Sequence, residues 1–463
     1  MLKNKKIIIF LLIIIAIVAM IPIIGNTLVK ETLDKKLQNL ESKGIKVTKS
    51  DEDVSYLETS RHYEFLLQDS EKFLHYLQKY SDKQLPPYTN ALINGTLLGV
   101  DLKYSNIPFS KAVSLDIYPL ALADELMQDI RVNDSEFSKY IEQFLFQKGL
   151  LYHIDYEIVS KVFSGYLKDV NENYTLKNHS QAVLTIKGTT FNGNGDLIAP
   201  SSLHVNSQKV HIEFFNLEEE MSIDLDTFSF SSSFENQTTY VSSSLLESLK
   251  INLKIKNKKT QNINISKIYM NISSNTQNEK AEINTKLSFE NFDTQLKNLD
   301  INATDFNYDV AVSEMDKIEF EKLRILVSKA KSSNSVDINK EITDAVIDLL
   351  AKGLRLNVID FSAKKIIINN ENVNGFVISS ELEVKEDKHL AGKMMFTPLL
   401  ILGNIDFDFK SKISKKILEV LMANSPLSFS IDKYIKTTKD ELELDVSYKQ
   451  GSLKINGKTL LGR

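Results

Sequence analysis

Apolar and polar residues alternate with a period of two along most of the chain, and no other feature limits the fold as strongly. Val210/Ile212/Phe214, Met221/Ile223/Leu225, Ile251/Leu253/Ile255 and Phe306/Tyr308/Val310/Val312 all alternate with Asn, Lys, Ser, Asp or Glu. Successive strand side chains point to opposite faces, so the pattern predicts antiparallel strands with one face buried and one wet. The same period holds at 98–104, 113–117, 152–158, 376–384, 405–409 and 442–448. Its phase slips between Ile265 and Ile268, which suggests a bulge or tight turn. Helical spacing interrupts the strands at 135–148, 316–331, 338–352 and about 413–423. Ser135 and Gly149 are the expected cap and stop of the first helix, and Gly353 ends the third. The expected fold class is α+β and β-dominated. It has an N-terminal transmembrane helix, then a long curved, mainly antiparallel sheet with a few amphipathic helices.

Ile7–Ile24 is an uncharged run rich in Ile and Leu, preceded by Lys3, Lys5 and Lys6. Eighteen residues of helix span about 27 Å, enough for a hydrocarbon core. The run exceeds a signal-peptide core, and no small-residue cleavage pattern follows near Gly25, so it reads as an uncleaved anchor. The clustered lysines keep the N-terminus cytoplasmic and send the rest of the chain across. Residues 1–25 are thus the cytoplasmic tip and transmembrane signal anchor, and 26–50 a stalk, helical over 27–43 and stopping at Gly44. Residues 51–463 form a periplasmic β-rich body, with a subdivision near 180 or 315 left open.

Composition excludes several chemistries. The chain has no Cys, which removes disulfides, thiol nucleophiles and Cys-ligated metals. A net charge of −5 offers no bulk basic field for nucleic acid. The seven histidines (His62, His75, His153, His179, His204, His211, His389) form no HExxH or close ligand pair. Gly451–Thr459 has one residue too many for a P-loop and reads as a terminal strand and turn. Asn192–Asp196 (NGNGD) occurs once, unlike a calcium β-roll, and reads as a hairpin turn. Glu218–Glu220 with Asp224 and Asp226 reads as a solvated strand edge. No catalytic, cofactor-binding or metal-ligating residue is assigned, and no cofactor is expected.

Three stretches resemble the YdgA-like bacterial proteins of unknown function. They are Asp53-Val54-Ser55-Tyr56, then His153–Ile158 with Phe163-Ser164-Gly165-Tyr166, and finally Leu444–Tyr448 with Gly451–Lys458. The similarity is collinear, and an insertion-like helical region at 63–80 departs from it. The resemblance implies an inner-membrane anchor and a periplasmic body, and it supplies no catalytic residue.

The expected function is noncatalytic: a single-pass bacterial inner-membrane protein, anchored through residues 7–24, whose curved sheet binds a lipid or other apolar ligand. An open groove and one filled by the helices both fit the pattern. The alternative is a cell-envelope scaffold that binds protein partners through sheet edges or acidic faces, and a hydrolase without a recognisable motif is the third reading. No nucleic-acid partner is expected. A reporter that works only outside the cytoplasm, fused after Arg463, is expected to be active in living cells. Activity of a cytoplasm-only reporter at that position would contradict the topology.

Overall fold

The computed structural model describes residues 40–78, 93–106, 112–176, 179–197, 199–236, 238–276, 278–296, 299–330, 336–417, 435–438 and 440–461, with Leu37 and Asn90. Strand makes up 61% and helix 20%, which places the chain in the β-dominated class expected from the alternation. The anchor run Ile7–Ile24, most of the stalk, and residues 418–423 of the helix expected at 413–423 lie outside the described residues. Among the described residues no helix is long and apolar enough to cross a membrane. A 3-10 turn at Glu41–Lys43 ends at Gly44, whose φ of 83° lets its N–H reach the Glu41 carbonyl. The sheet starts at once at Ile45, so residues 45–50, expected in the stalk, are paired strand.

The chain divides into two compact units, Met1–His179 with Ile186–Val205, and Ser180–Thr185 with Asn206–Arg463. The first contains β1 (Ile45–Val54), β2 (Glu58–Leu67), β3 (Leu97–Ser105), β4 (Ala112–Ala121), β5 (Tyr152–Glu157), β6 (Val162–Leu167) and β7 (Val170–Thr175). After β8 (Gln181–Lys187), which straddles the division, comes β9 (Thr189–Gly195). Strands β1 to β6 pair antiparallel in chain order, and β9 joins β6. Helix α1 (Ser70–Gln78) begins only after β2, so the first part of the region expected to be helical at 63–80 is strand.

Helices α2 (Asp124–Asn133) and α3 (Ser135–Phe146) follow β4. Asp134, not Ser135, caps α3, its carboxylate accepting from the N–H groups of Glu136 and Phe137. An ionised cap also meets the positive end of the helix dipole. At the other end Lys148, not Gly149, takes the left-handed conformation, with φ of 51°. The Lys148 and Gly149 N–H groups then satisfy the carbonyls of Leu145 and Phe144.

The NGNG segment is not a hairpin turn but the end of β9. Gly193 pairs with Phe163, and Gly165 pairs with Phe191. A Cβ on Gly193 would lie 2.5 Å from the Phe163 ring, and one on Gly165 would lie 2.6 Å from Phe191. Each aromatic ring lies over the glycine of the neighbouring strand, which fills the space a side chain would need.

β10 (Pro200–Phe215) passes into the second unit. That unit continues with β11 (Glu219–Phe234), β12 (Tyr240–Ile255), β13 (Gln261–Asn275), β14 (Lys280–Gln295) and β15 (Asp300–Asp316), an antiparallel meander of long strands. Helices α4 (Lys317–Ala330) and α5 (Val336–Ala351) interrupt it before β16 (Leu354–Ile368) and β17 (Glu371–Val384). Helix α6 (Leu390–Phe396) and a 3-10 segment at Pro398–Asn404 lead to β18 (Ile405–Ser414). The unit closes with β19 (Lys436–Thr437), β20 (Glu441–Lys449), β21 (Ser452–Ile455) and β22 (Lys458–Leu461). Gln450-Gly451 and Asn456-Gly457 both have positive φ, the geometry that suits two-residue hairpin turns. Gly451–Thr459 is therefore strand and turn, as its spacing indicated.

The buried core of this unit is Ala281, Met315, Phe320 and Leu349, backed by Ile283, Val312, Leu323 and Leu354. It joins α4 and α5 to the first residues of β14 and the last of β15. Leu349→Ala is expected to cost about 2–4 kcal/mol in denaturant unfolding, because 6% exposure leaves little room for collapse around the lost atoms. A change below about 1 kcal/mol would show that the helices are loosely seated.

Candidate functional site: an apolar sheet face in the second unit

Which residues form the apolar face depends on the phase slip already visible between Ile265 and Ile268. In the structure Lys267 stands between them with φ of 50°. The cross-strand register places Thr227, Glu247, Lys267, Glu290, Asp305 and Lys364 in one row over β11 to β16. Thr227 and Asp305, like Lys267, have positive φ, at 50° and 51°. Apolar residues change parity across this row in each strand, as Leu225 to Phe228, Leu249 to Leu246, Phe292 to Phe289 and Ala303 to Phe306 show. Pairing sums stay constant through the row in β11 to β13, so neighbouring strands slip together and the ladder is kept. The expected bulge is thus a line shared by many strands. Charge pairs follow it: Lys267 Nζ lies 2.6 Å from Glu290, and Lys364 lies 3.5 Å from Asp305. The Glu290 carboxylate, with Glu247 beyond, holds the Lys267 ammonium pKa above its ordinary value.

With the slip included, most apolar residues of these strands lie on one face, while Val241, Leu245 and Tyr269 fall on the other. One row runs Leu225, Leu249, Ile265, Phe292, Ala303 and Ile366. Another runs Met270, Leu287, Tyr308, Phe361 and Ile378. The face continues through Phe407, Phe409 and Ile413 to Tyr448, Val446 and Leu442. An aromatic group occupies its middle. Phe289 stacks on Phe306 at 4.5 Å, Phe361 meets Phe306 and Tyr308 edge-on, and Phe376 lies 4.9 Å from Phe361. Stacked and edge-on contacts of this kind order the rings beyond what area burial alone would do.

This face is only partly covered among the described residues. Ile265, Phe289, Phe306 and Phe361 are half-buried, Met270 is 38% exposed and Tyr308 37%. Helices α4 and α5 pack over one end, where the buried core sits. At about 3.3 Å per residue, the 15–17-residue strands run about 50 Å. The result is a long hydrocarbon surface with a closed end.

The opposite face is mainly polar, with Val241, Tyr269 and Val377 exposed on it, and many of its charges are paired across strands. Lys254 meets Glu220 at 2.6 Å, Lys286 meets Asp309, Lys449 meets Asp408, and Arg355 lies between Glu381 and Glu383. Exposed pairs like these contribute little each but favour the observed register. The acidic patch joins this pattern: Glu218 faces Lys256, and Asp224 accepts from His211.

Sequence spacing separates the histidines, yet register brings three of them onto carboxylates. His62, His153 and His211 each have a cross-strand Asp at 2.7 Å, namely Asp101, Asp116 and Asp224. Each also has an acidic residue two positions on, Glu64, Asp155 or Glu213, near its other ring nitrogen. The recurring His-x-acid triplet was the available signal. Among the described residues no group of His, Asp and Glu is arranged to hold a metal ion.

Thr227 is β-branched at a positive φ, a costly combination. Thr227→Gly is expected to stabilise the second unit by about 0.5–1 kcal/mol in denaturant unfolding, after allowing for the greater chain entropy of glycine. A clear loss of stability would show that the row is not held in this conformation.

Compared with known proteins, the chain matches no family model, no curated protein and no solved structure.

Proposed function

We propose that this chain is a noncatalytic, single-pass bacterial inner-membrane protein whose periplasmic body holds lipid hydrocarbon chains against the apolar face of the second unit. The observation that carries this reading is the half-exposed apolar face itself, long, continuous and packed against helices α4 and α5 at one end. Exposed apolar surface of this extent on a folded chain marks a binding surface. A methylene moved fully out of water gains about 0.8 kcal/mol, so a dozen half-buried methylenes would contribute on the order of 5 kcal/mol. The apolar run Ile7–Ile24 and the resemblance to YdgA-like proteins support the membrane setting. The alternative scaffold reading relies on charged faces, and here those charges are largely paired with one another.

Full-length protein, extracted in mild detergent, is expected to retain phospholipid at close to one molecule or more per chain. Met270→Asp and Tyr308→Asp place a charge on the half-exposed face without touching the buried core. Both should lower the retained lipid about tenfold while leaving the circular dichroism unchanged. Lipid yield unaffected by either variant would refute the assignment, and a lipid-free protein with a reproducible crosslinked partner would favour the scaffold.

A further inference from the structure

The polar face of the first unit carries a row of charged residues that crosses its strands at right angles. The register aligns His62 on β2, Asp101 on β3, Asp116 on β4, His153 on β5 and Tyr166 on β6. His153 sits between two carboxylates. Its Nδ1 lies 2.7 Å from Asp116 on β4, and its Nε2 lies 3.3 Å from Asp155 on its own strand. From β6 the Tyr166 ring stacks on the imidazole at 4.9 Å. Ser114 on β4 donates to Asp155, so that carboxylate is held in place. Asp116 has Asp101 directly opposite, and Asp101 is already occupied by Lys148 at 2.5 Å, Tyr118 and His62. Among the described residues, His153 is thus the one basic side chain in contact with both Asp116 and Asp155.

We propose that His153 is carried as an imidazolium cation and acts as a pH-sensitive lock joining β4, β5 and β6. With the proton bound, both ring nitrogens donate to carboxylates. Without it, one nitrogen must turn a lone pair toward a carboxylate, and Asp116 faces Asp101 with no other cation beside it among the described residues. The same clamp recurs around His62 and His211, each with a cross-strand Asp and an acid two residues on, which marks it as a built feature.

The electrostatics run the same way. Partial burial works against the His153 charge, but the Asp116 hydrogen bond and the Asp155 and Asp116 charges outweigh it and raise the pKa above 6.5. A histidine with a raised folded pKa stabilises fully below its unfolded value, and this stabilisation disappears as pH rises through the folded one. The sheet of the first unit should therefore be tighter at mildly acidic pH. A compartment that exchanges protons with the outside would expose it to that change.

Hydrogen exchange on the full-length protein in detergent tests this, with rates corrected for the pH dependence of free amides. Between about pH 5.5 and about pH 8.5, peptides from β4 to β6 should lose protection about tenfold, while β20 and β21 keep theirs. His153→Lys keeps a charge throughout and should remove the pH dependence, whereas His153→Gln should be poorly protected at every pH. Independently, the ring signal that disappears in His153→Gln should titrate above 6.5. Flat protection in the natural chain, an unchanged slope in His153→Lys, or titration at or below 6.5 would overturn the proposal.

Discussion

A strand whose alternation slips by one residue turns its apolar side chains toward water unless its neighbours slip with it. The second unit meets this constraint with a single row, Thr227 to Lys364, in which each strand changes phase at the same level. Left-handed residues at Thr227, Lys267 and Asp305 supply the extra step, and ion pairs along the row accompany it. Without that coincidence the apolar residues beyond the row would face the charged side. The continuous hydrocarbon face therefore depends on a backbone feature set by polar and charged residues.

Register organises the first unit in the same way, with a different outcome. Residues far apart in sequence, such as His62, Asp101, Asp116 and His153, become neighbours because four strands align them. Aromatic rings over glycines, as with Phe163 on Gly193, hold neighbouring strands close on the other face. One face thus gathers charge, while the other gathers Leu102, Tyr104 and Phe163 into burial. Both units use the pleat to separate polar from apolar chemistry.

The alternation made strand identity and the two long helices of the second unit legible, because period is a local property. Even the slip at Lys267 was visible as a change of parity between Ile265 and Ile268. Its extension across six strands was not, since it requires knowing which residues pair. The histidine clamps were missed for the same reason: their partners lie on adjacent strands, and only the His-x-acid triplet hints at them. NGNG looked like a turn because Asn and Gly favour turns. Its glycines answer instead to rings on the next strand, a tertiary demand that local propensity does not record. Asp134 took the cap expected of Ser135 because its carboxylate reaches two N–H groups at once.

Hydrocarbon contact on the apolar face can be measured directly because the chain contains no Trp. Tyr308→Trp places one indole among the aromatic rings, and Val377→Trp places one on the opposite face, where Val377 is exposed. Each full-length variant would be loaded with phospholipid brominated along its acyl chains. Strong quenching of the Tyr308→Trp emission, with little effect on Val377→Trp, is the result expected if acyl chains lie along this face. Equal quenching of the two, or none at position 308, would contradict it.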